Sequence, residues 1–295
     1  MPGSLIEFSD SLAALVAAAA RGLVSVHPGA RAQRSAVLWE PGVLVTSEQG
    51  MPDHTDVPVI LPGGAAATAS LVGRDTGTNV AALRIELPAP PRTAAAVPHV
   101  GALALVLGAA DGAPTARLAM VHRTGPAWDS MAGGRIDQLI RLDARLDGRD
   151  EGGPVLNAAG GLLGMSTLGP RRRVLVIPAS TVDRVLPQLL AGGRVAQGWL
   201  GLGLQPVSIP AGLQDAAGQD SGLMVVSLAA HGPAEQAGML PGDILLQVDG
   251  APAPHPRAVA RVLRGDRVGA AVPVRLLRAG VPVEVTVTIA ERPAA

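Results

Sequence analysis

From residue 23 to residue 178 the chain is a succession of short β-prone runs, each closed by glycine, proline or a polar turn, and this rhythm limits the folds open to it. The runs are Leu23–Val26, Ala36–Trp39, Val43–Thr46, Val57–Leu61, Ala69–Val72, Ala81–Ile85, Leu103–Leu107 and Leu118–His122, then Gln138–Leu142, Pro154–Leu156, Leu162–Ser166 and Val174–Ile177. Many short strands with turn signals between them predict an all-β sandwich or a pair of barrels. Two helices flank them. Ser9-Asp10 reads as an N-cap for an Ala/Leu-rich helix running to about Arg21. Ser180 caps a second, in which Val182, Val185, Leu186, Leu189 and Leu190 recur at helical spacing up to Leu190.

Composition narrows the function classes. Net charge is +0, with 24 basic residues, all arginine, against 24 acidic ones, so no basic field exists to hold a nucleic-acid backbone. Tyr is absent and Phe occurs once, which removes aromatic platforms for bases or sugars and leaves the core to Leu, Val, Ile and Ala. With 0 Cys there are no disulfides, thiolate ligands or thiol nucleophile. The apolar run Leu12–Ala20 is short of the roughly 20 residues that span a bilayer, and Glu7 and Asp10 stand where a signal peptide carries basic residues. The expectation is a cytoplasmic protein without cofactor, metal or membrane partner.

Ala191-Gly192-Gly193 closes the second helix, and a new unit begins near Gln197. Its pattern is strand (Leu200–Val207), strand (Leu223–Leu228), short helix (Ala234–Ala237), strand (Ile244–Val248), helix (Arg257–Arg264), then a hairpin pairing Val272–Arg278 with Val283–Ile289 around Ala279-Gly280. Gly222–Val226 and the long run Gly232–Gly250 resemble a PDZ domain of the kind found in bacterial proteases. Pro233 starts a helix that Gly238 ends, Pro241-Gly242-Asp243 turns into a buried strand, and Asp249-Gly250 makes the next turn. By that resemblance Gly198, Trp199, Leu200, Gly201 and Leu202 form the loop whose N–H groups receive a peptide's terminal carboxylate. The peptide then adds to the sheet edge, and Val259 and Val262 join Leu200 and Leu202 in lining an apolar groove.

The first unit resembles the trypsin-like domain of the HtrA family. Val43–Gln49 is similar to the segment that delivers the catalytic histidine, Val72–Ile85 to the one carrying the aspartate, and Leu142–Pro154 to the nucleophile loop, which in the family ends Ser-Gly-Gly-Pro. Val176–Thr181 and Gly198–Gly201 match the family's passage from barrel to PDZ domain. The resemblance implies a mostly β chain: an N-terminal helix over 1–22, a chymotrypsin/trypsin-like double β-barrel over 23–192, and a PDZ domain, a small β-barrel with two helices, over 197–292.

At the three catalytic positions stand Gln49, Asn79 and Glu151. Acyl transfer of this type needs a hydroxyl nucleophile, an imidazole to take its proton and a carboxylate to orient the imidazole. An amide is no base near neutral pH, asparagine cannot stabilise an imidazolium, and Glu151 puts an anion where negative charge develops. Arg149 replaces the family's glycine two residues earlier. From these positions the chain is expected not to be an enzyme. It is read as a peptide- or protein-binding scaffold, regulator or chaperone-like module acting through its PDZ domain on C-terminal or extended peptides, with homo- or hetero-oligomers open. Two alternatives stand beside that reading: an active serine endopeptidase with a non-standard catalytic site, and a structural subunit pairing with an active homologue.

Other candidates read more simply. His54 lies on a Pro/Asp-rich loop, Ser47 reads as a turn hydroxyl bonding the backbone, Ser166 follows a buried strand and Ser130 lies on a surface loop. Asp147, Asp150 and Glu151 interleave with Arg145 and Arg149 and read as a self-neutralising loop, not a metal site. Gly160-Gly161 is a hairpin turn, and Arg171-Arg172-Arg173 a solvated loop tip.

Overall fold

Strand β3 (Val43–Ser47) is buried along its whole length, and that explains the architecture around it. Leu44 points into one barrel, while Val43 and Val45 on the opposite face pack against residues of another. A computed structural model describes residues 2–29, 32–52, 54–87, 94–263 and 265–293, in two units, Met1–Val195 and Ala196–Ala295.

In the first unit, helix α1 (Pro2–Ala20) leads into strands β1 (Leu23–Gly29), β2 (Ala32–Glu40), β3, β4 (Asp56–Ile60), β5 (Ala66–Asp75) and β6 (Val80–Arg84). They form a closed antiparallel barrel in the order β1-β2-β3-β6-β5-β4. Val24, Val26, Leu44, Val57, Val59 and Leu83 fill it. A second closed barrel follows, from β7 (Leu103–Ala110), β8 (Ala113–Gly125), β11 (Leu139–Arg145), β12 (Pro154–Asn157), β13 (Leu162–Leu168) and β14 (Arg173–Pro178), in the order β11-β14-β13-β12-β7-β8. A small ribbon, β9 (Trp128–Asp129) with β10 (Arg135–Ile136), lies between β8 and β11 in the chain. The alternation of apolar side chains thus resolves into two barrels, as the resemblance implied.

The largest cluster of this unit joins the outer faces of β3 and β6 to Leu105, Leu107 and Leu156 of the second barrel and to helix α2 (Ala179–Gly192). Trp39 anchors the helix by donating its indole N–H to Asp183 Oδ1 at 2.8 Å. Gly73 admits the helix closely, since a Cβ there would lie 2.7 Å from the Leu189 carbonyl oxygen. Gly193, at φ +72°, ends α2 and donates to Leu189 O.

Both expected helix caps fail. Helix α1 starts well before Ser9, and Ser11 bonds back to the Glu7 carbonyl from inside it, as a mid-helix hydroxyl does. Pro178 precedes α2 without any side-chain cap, its fixed φ suiting the entry, and Ser180 lies within the helix.

In the second unit β15 (Gly198–Trp199) pairs with β22 (Ala290–Glu291). The main sheet runs β16 (Leu202–Ser208), β17 (Ser221–Leu228), β18 (Ile244–Val248), β20 (Ala271–Arg278), β21 (Val281–Thr288), with β19 (Ala251–Pro252) on β18. Helices α3 (Ala211–Ala217), α4 (Pro233–Gln236) and α5 (Pro256–Val262) complete it. The hairpin turns at Ala279-Gly280, with Arg278 opposite Val281. The single strand expected over Leu200–Val207 is broken, because Gly201 at φ +76° turns the chain between β15 and β16. Helix α3 was not expected, since Pro210 and Gly212 disguise its start.

Candidate functional site

Gln49 follows the end of β3, Asn79 precedes β6, and Glu151 lies on the turn before β12. Because β3 pairs with β6, with Ser47 opposite Val80, positions 47 to 49 and 79 meet. The second barrel supplies the rest. The turn carrying Glu151 crosses to the first barrel, where Ser35 N–H donates to the Glu151 carbonyl at 2.9 Å. Gly152 and Gly153 make that approach feasible: a Cβ on the first would overlap Ser35 O and Thr46 Oγ1, and on the second Leu107 O.

The side chains meet at Ser47. Its hydroxyl lies 3.0 Å from Asn79 Oδ1 and 3.2 Å from Glu151 Oε1, so one proton serves two acceptors. Asn79 Oδ1 also accepts from Gln49 N–H at 2.9 Å, and its Nδ2 donates to Thr167 Oγ1 at 2.6 Å. Thr167 Oγ1 in turn donates to Glu151 Oε1 at 3.1 Å, and Leu168 N–H donates to the same oxygen at 3.3 Å. Arg34 Nε stands 3.3 Å from Glu151 Oε2, an ion pair without hydrogen-bond alignment. Ser47 and Glu151 are each 0% exposed. The network is a carboxylate held by two hydroxyls, a backbone N–H and a guanidinium, with an asparagine bridging the hydroxyls. Gln49 takes part through its backbone, and the residue itself is exposed.

Asn79 occupies the left-handed region at φ +59°, which asparagine tolerates better than most residues. The Arg149 N–H is taken by Asp147 Oδ1 at 3.1 Å. It is therefore turned to its own loop, not to an oxyanion.

Several expectations need correction. Ser47 bonds two side chains and not the backbone, because its partners lie on distant turns. The acidic loop does not neutralise itself through Arg145 and Arg149. Asp150 instead reaches Arg117 at 3.5 Å and Thr115 at 2.6 Å, and Glu151 reaches Arg34, since the turn folds inward over β8 and β2. Arg34 and Thr167 were missed altogether, as neither sits in a motif. Ser166 lies inside β13, bonded to Asp150 O, and Ser130 bonds Gly77 O. Among the described residues no group of His, Asp and Glu could hold a metal ion.

In the second unit the expected carboxylate loop lies at the start of the edge strand. Gly198 and Trp199 form β15, Leu200 is buried with its carbonyl accepting from Ala234 N–H at 2.9 Å, and Gly201 O accepts from Ala229 N–H at 2.9 Å. Leu202 and Leu204 of β16 pack on the same core as Val259 and Val262 of α5. Strand β16 has β17 on one side and ends the sheet on the other.

Two barrels followed by an open-edged sheet with its helices define a trypsin-like peptidase domain, matched over residues 34–165, and a PDZ domain, matched over residues 199–289. The chain is homologous to the HtrA, DegS and DegP serine proteases. The serine endoprotease DegS of Escherichia coli is 28% identical over 275 residues, covering 88% of this chain and 76% of that protein. A probable periplasmic serine endoprotease, DegP-like, of Brucella suis is 29% identical over 271 residues, covering 87% of this chain; the chain spans about half, 52%, of that relative's length. Among solved structures, a serine endoprotease of Yersinia pestis matches with TM-score 0.72 at 27% identity over 95% of this chain and 97% of that one. The HtrA-type protease AlgW with a tripeptide matches with TM-score 0.71 at 26% identity over 96% of this chain and 98% of that one.

These relatives are serine endoproteases, and that overturns the expectation that the chain is not an enzyme. That expectation ran from the loss of one proton relay to the loss of all chemistry. It set Ser47 aside as a turn hydroxyl and missed Thr167, and the fold brings both hydroxyls onto the Glu151 carboxylate.

Proposed function

We propose that the chain handles polypeptides as a serine endopeptidase with a non-standard site, its PDZ domain taking peptide termini. The observation that carries this is the likeness, along nearly the whole chain, to serine endoproteases, one of them solved with a peptide. In the first unit a carboxylate beside a hydroxyl is the pairing by which a base activates a nucleophile, and Glu151 with Ser47 supplies it. Both are 0% exposed, so substrate reaches them only through a local opening of the packing around Ser47. In the second unit the loop at 198–202 and the free edge of β16 suit a peptide ending in a carboxylate.

Two assays test the parts separately. Unfolded casein and peptide substrates are followed with the native chain, Ser47→Ala, Glu151→Gln and heat-killed protein. Turnover lost in both variants supports the endopeptidase reading, and no turnover above the heat-killed background overturns it. Fluorescent peptides with an apolar last residue are titrated against the same chain, with amide-capped versions as controls. Equal binding of capped and free peptides overturns the terminus-binding reading.

A further inference from the structure

We propose that Pro206 limits strand pairing along β16 to about the last four residues of a bound peptide, so that the groove reads a short terminus and not what precedes it. The inference rests on the peptide-binding reading above. In an antiparallel ladder, residues bonded to the neighbouring strand alternate with residues whose N–H and C=O point away. Ile209 N–H donates to Asp220 O at 2.8 Å, continuing the register in which Ser208 lies opposite Ser221. Counting back, Val207 and Gln205 also face β17. Leu204, Pro206 and Ser208 therefore present their backbone to the open edge, with Leu204 opposite Val225 and Pro206 opposite Leu223. A proline without an N–H is tolerated in such a strand because that side is unpaired.

The consequence falls on any strand added there. A peptide whose carboxylate sits at the Gly201–Leu202 loop brings its third residue from the end opposite Leu204, which offers both N–H and C=O. Its fifth residue from the end faces Pro206, which offers a carbonyl alone and sets a ring methylene where the donor would be. The strand then stops: Ile209 is buried and Pro210 leads into α3. Pairing ends where its next donor is missing.

The test uses the full chain and a nested set of peptides, roughly three to ten residues long, sharing one apolar C-terminal triplet and a free carboxylate. In the native protein affinity should level off by about four residues, staying within about twofold beyond that. In Pro206→Ala, whose unchanged melting temperature is checked first, the longer peptides should gain about three- to tenfold and the shortest nothing. A native affinity that keeps rising toward the longest peptide overturns the limit while leaving peptide binding intact. A Pro206→Ala chain with the native length profile overturns the assignment to Pro206. Absence of binding at every length overturns the reading on which the inference rests.

Discussion

The hydroxyl of Ser47 lies between Asn79 Oδ1, at 3.0 Å, and Glu151 Oε1, at 3.2 Å, so that residues from two barrels are joined through one proton. Glu151 is 0% exposed, and among the described residues its charge is paired with Arg34, helped by three hydrogen bonds to the other oxygen. A buried pair of this kind is costly to break from one side, because the remaining charge is left without compensation.

Glu151→Ala should accordingly lower the unfolding free energy of the first unit by about 3 kcal/mol, measured by urea denaturation. Arg34→Met on the native background should cost at least as much, because it leaves the 0% exposed Glu151 charge uncompensated, whereas Glu151→Ala leaves a guanidinium that is 22% exposed. Arg34→Met with Glu151→Leu should recover much of the loss. A Glu151→Ala chain as stable as the native one would show that the ion pair contributes nothing.

Restoring the carboxylate of the ordinary relay should harm this site. In Asn79→Asp the donor to Thr167 is lost, and Ser47 has one proton for two carboxylates. The expected cost is about 1–3 kcal/mol, read from denaturation, with melting shifting further downward as pH rises through the carboxylate range. Equal or greater stability than native would sink this account of the network.

Gly201→Val should abolish peptide binding without unfolding the second unit. The position sits at φ +76°, and a Cβ there would meet Ala229 Cβ and the Trp199 ring at 3.3 Å. The loop must shift, and with it the N–H groups at its tip. Titration with the fluorescent peptides should show at least about tenfold weaker binding, the size of losing one to two well-placed hydrogen bonds to a charged group.

Acid should weaken the second unit through Asp243. Burial by itself would raise this carboxyl, but hydrogen bonds from Arg278 and from Leu240 N–H, with the Arg278 charge, outweigh it and hold it below its ordinary 3.8. A carboxyl depressed in the folded state stabilises fully above its unfolded value, and the contribution is lost as pH falls through the folded value. The melting temperature of the second unit should thus hold from neutral pH down to the carboxylate range and fall below 3.8. In Asp243→Asn it should start lower and lose that acid-dependent component. A native-like pH profile in the variant would overturn the assignment.

Legibility in the sequence followed the range of the interactions involved. Runs such as Val43–Thr46 and Ile244–Val248 announced their strands because side chains alternate with period two, and Ala279-Gly280 announced its hairpin because only certain residues adopt that turn. The helix start was misread at Ser9, since a serine suits a cap and a helix interior bonded to its own carbonyl alike.

What the sequence by itself determined was therefore the local and periodic content: the strands, the turns, the two kinds of unit, and the identities Gln49, Asn79 and Glu151 at three spaced motifs. What only the tertiary structure decided was the company those residues keep. Arg34 and Thr167 carry no motif, and they meet Glu151 because barrel closure fixes strand register and the inward turn at Gly152-Gly153 brings one barrel's loop onto the other's strands. Likewise Pro206 is one more proline in the sequence, and it becomes a limit on pairing because the ladder with β17 turns its backbone to the open edge.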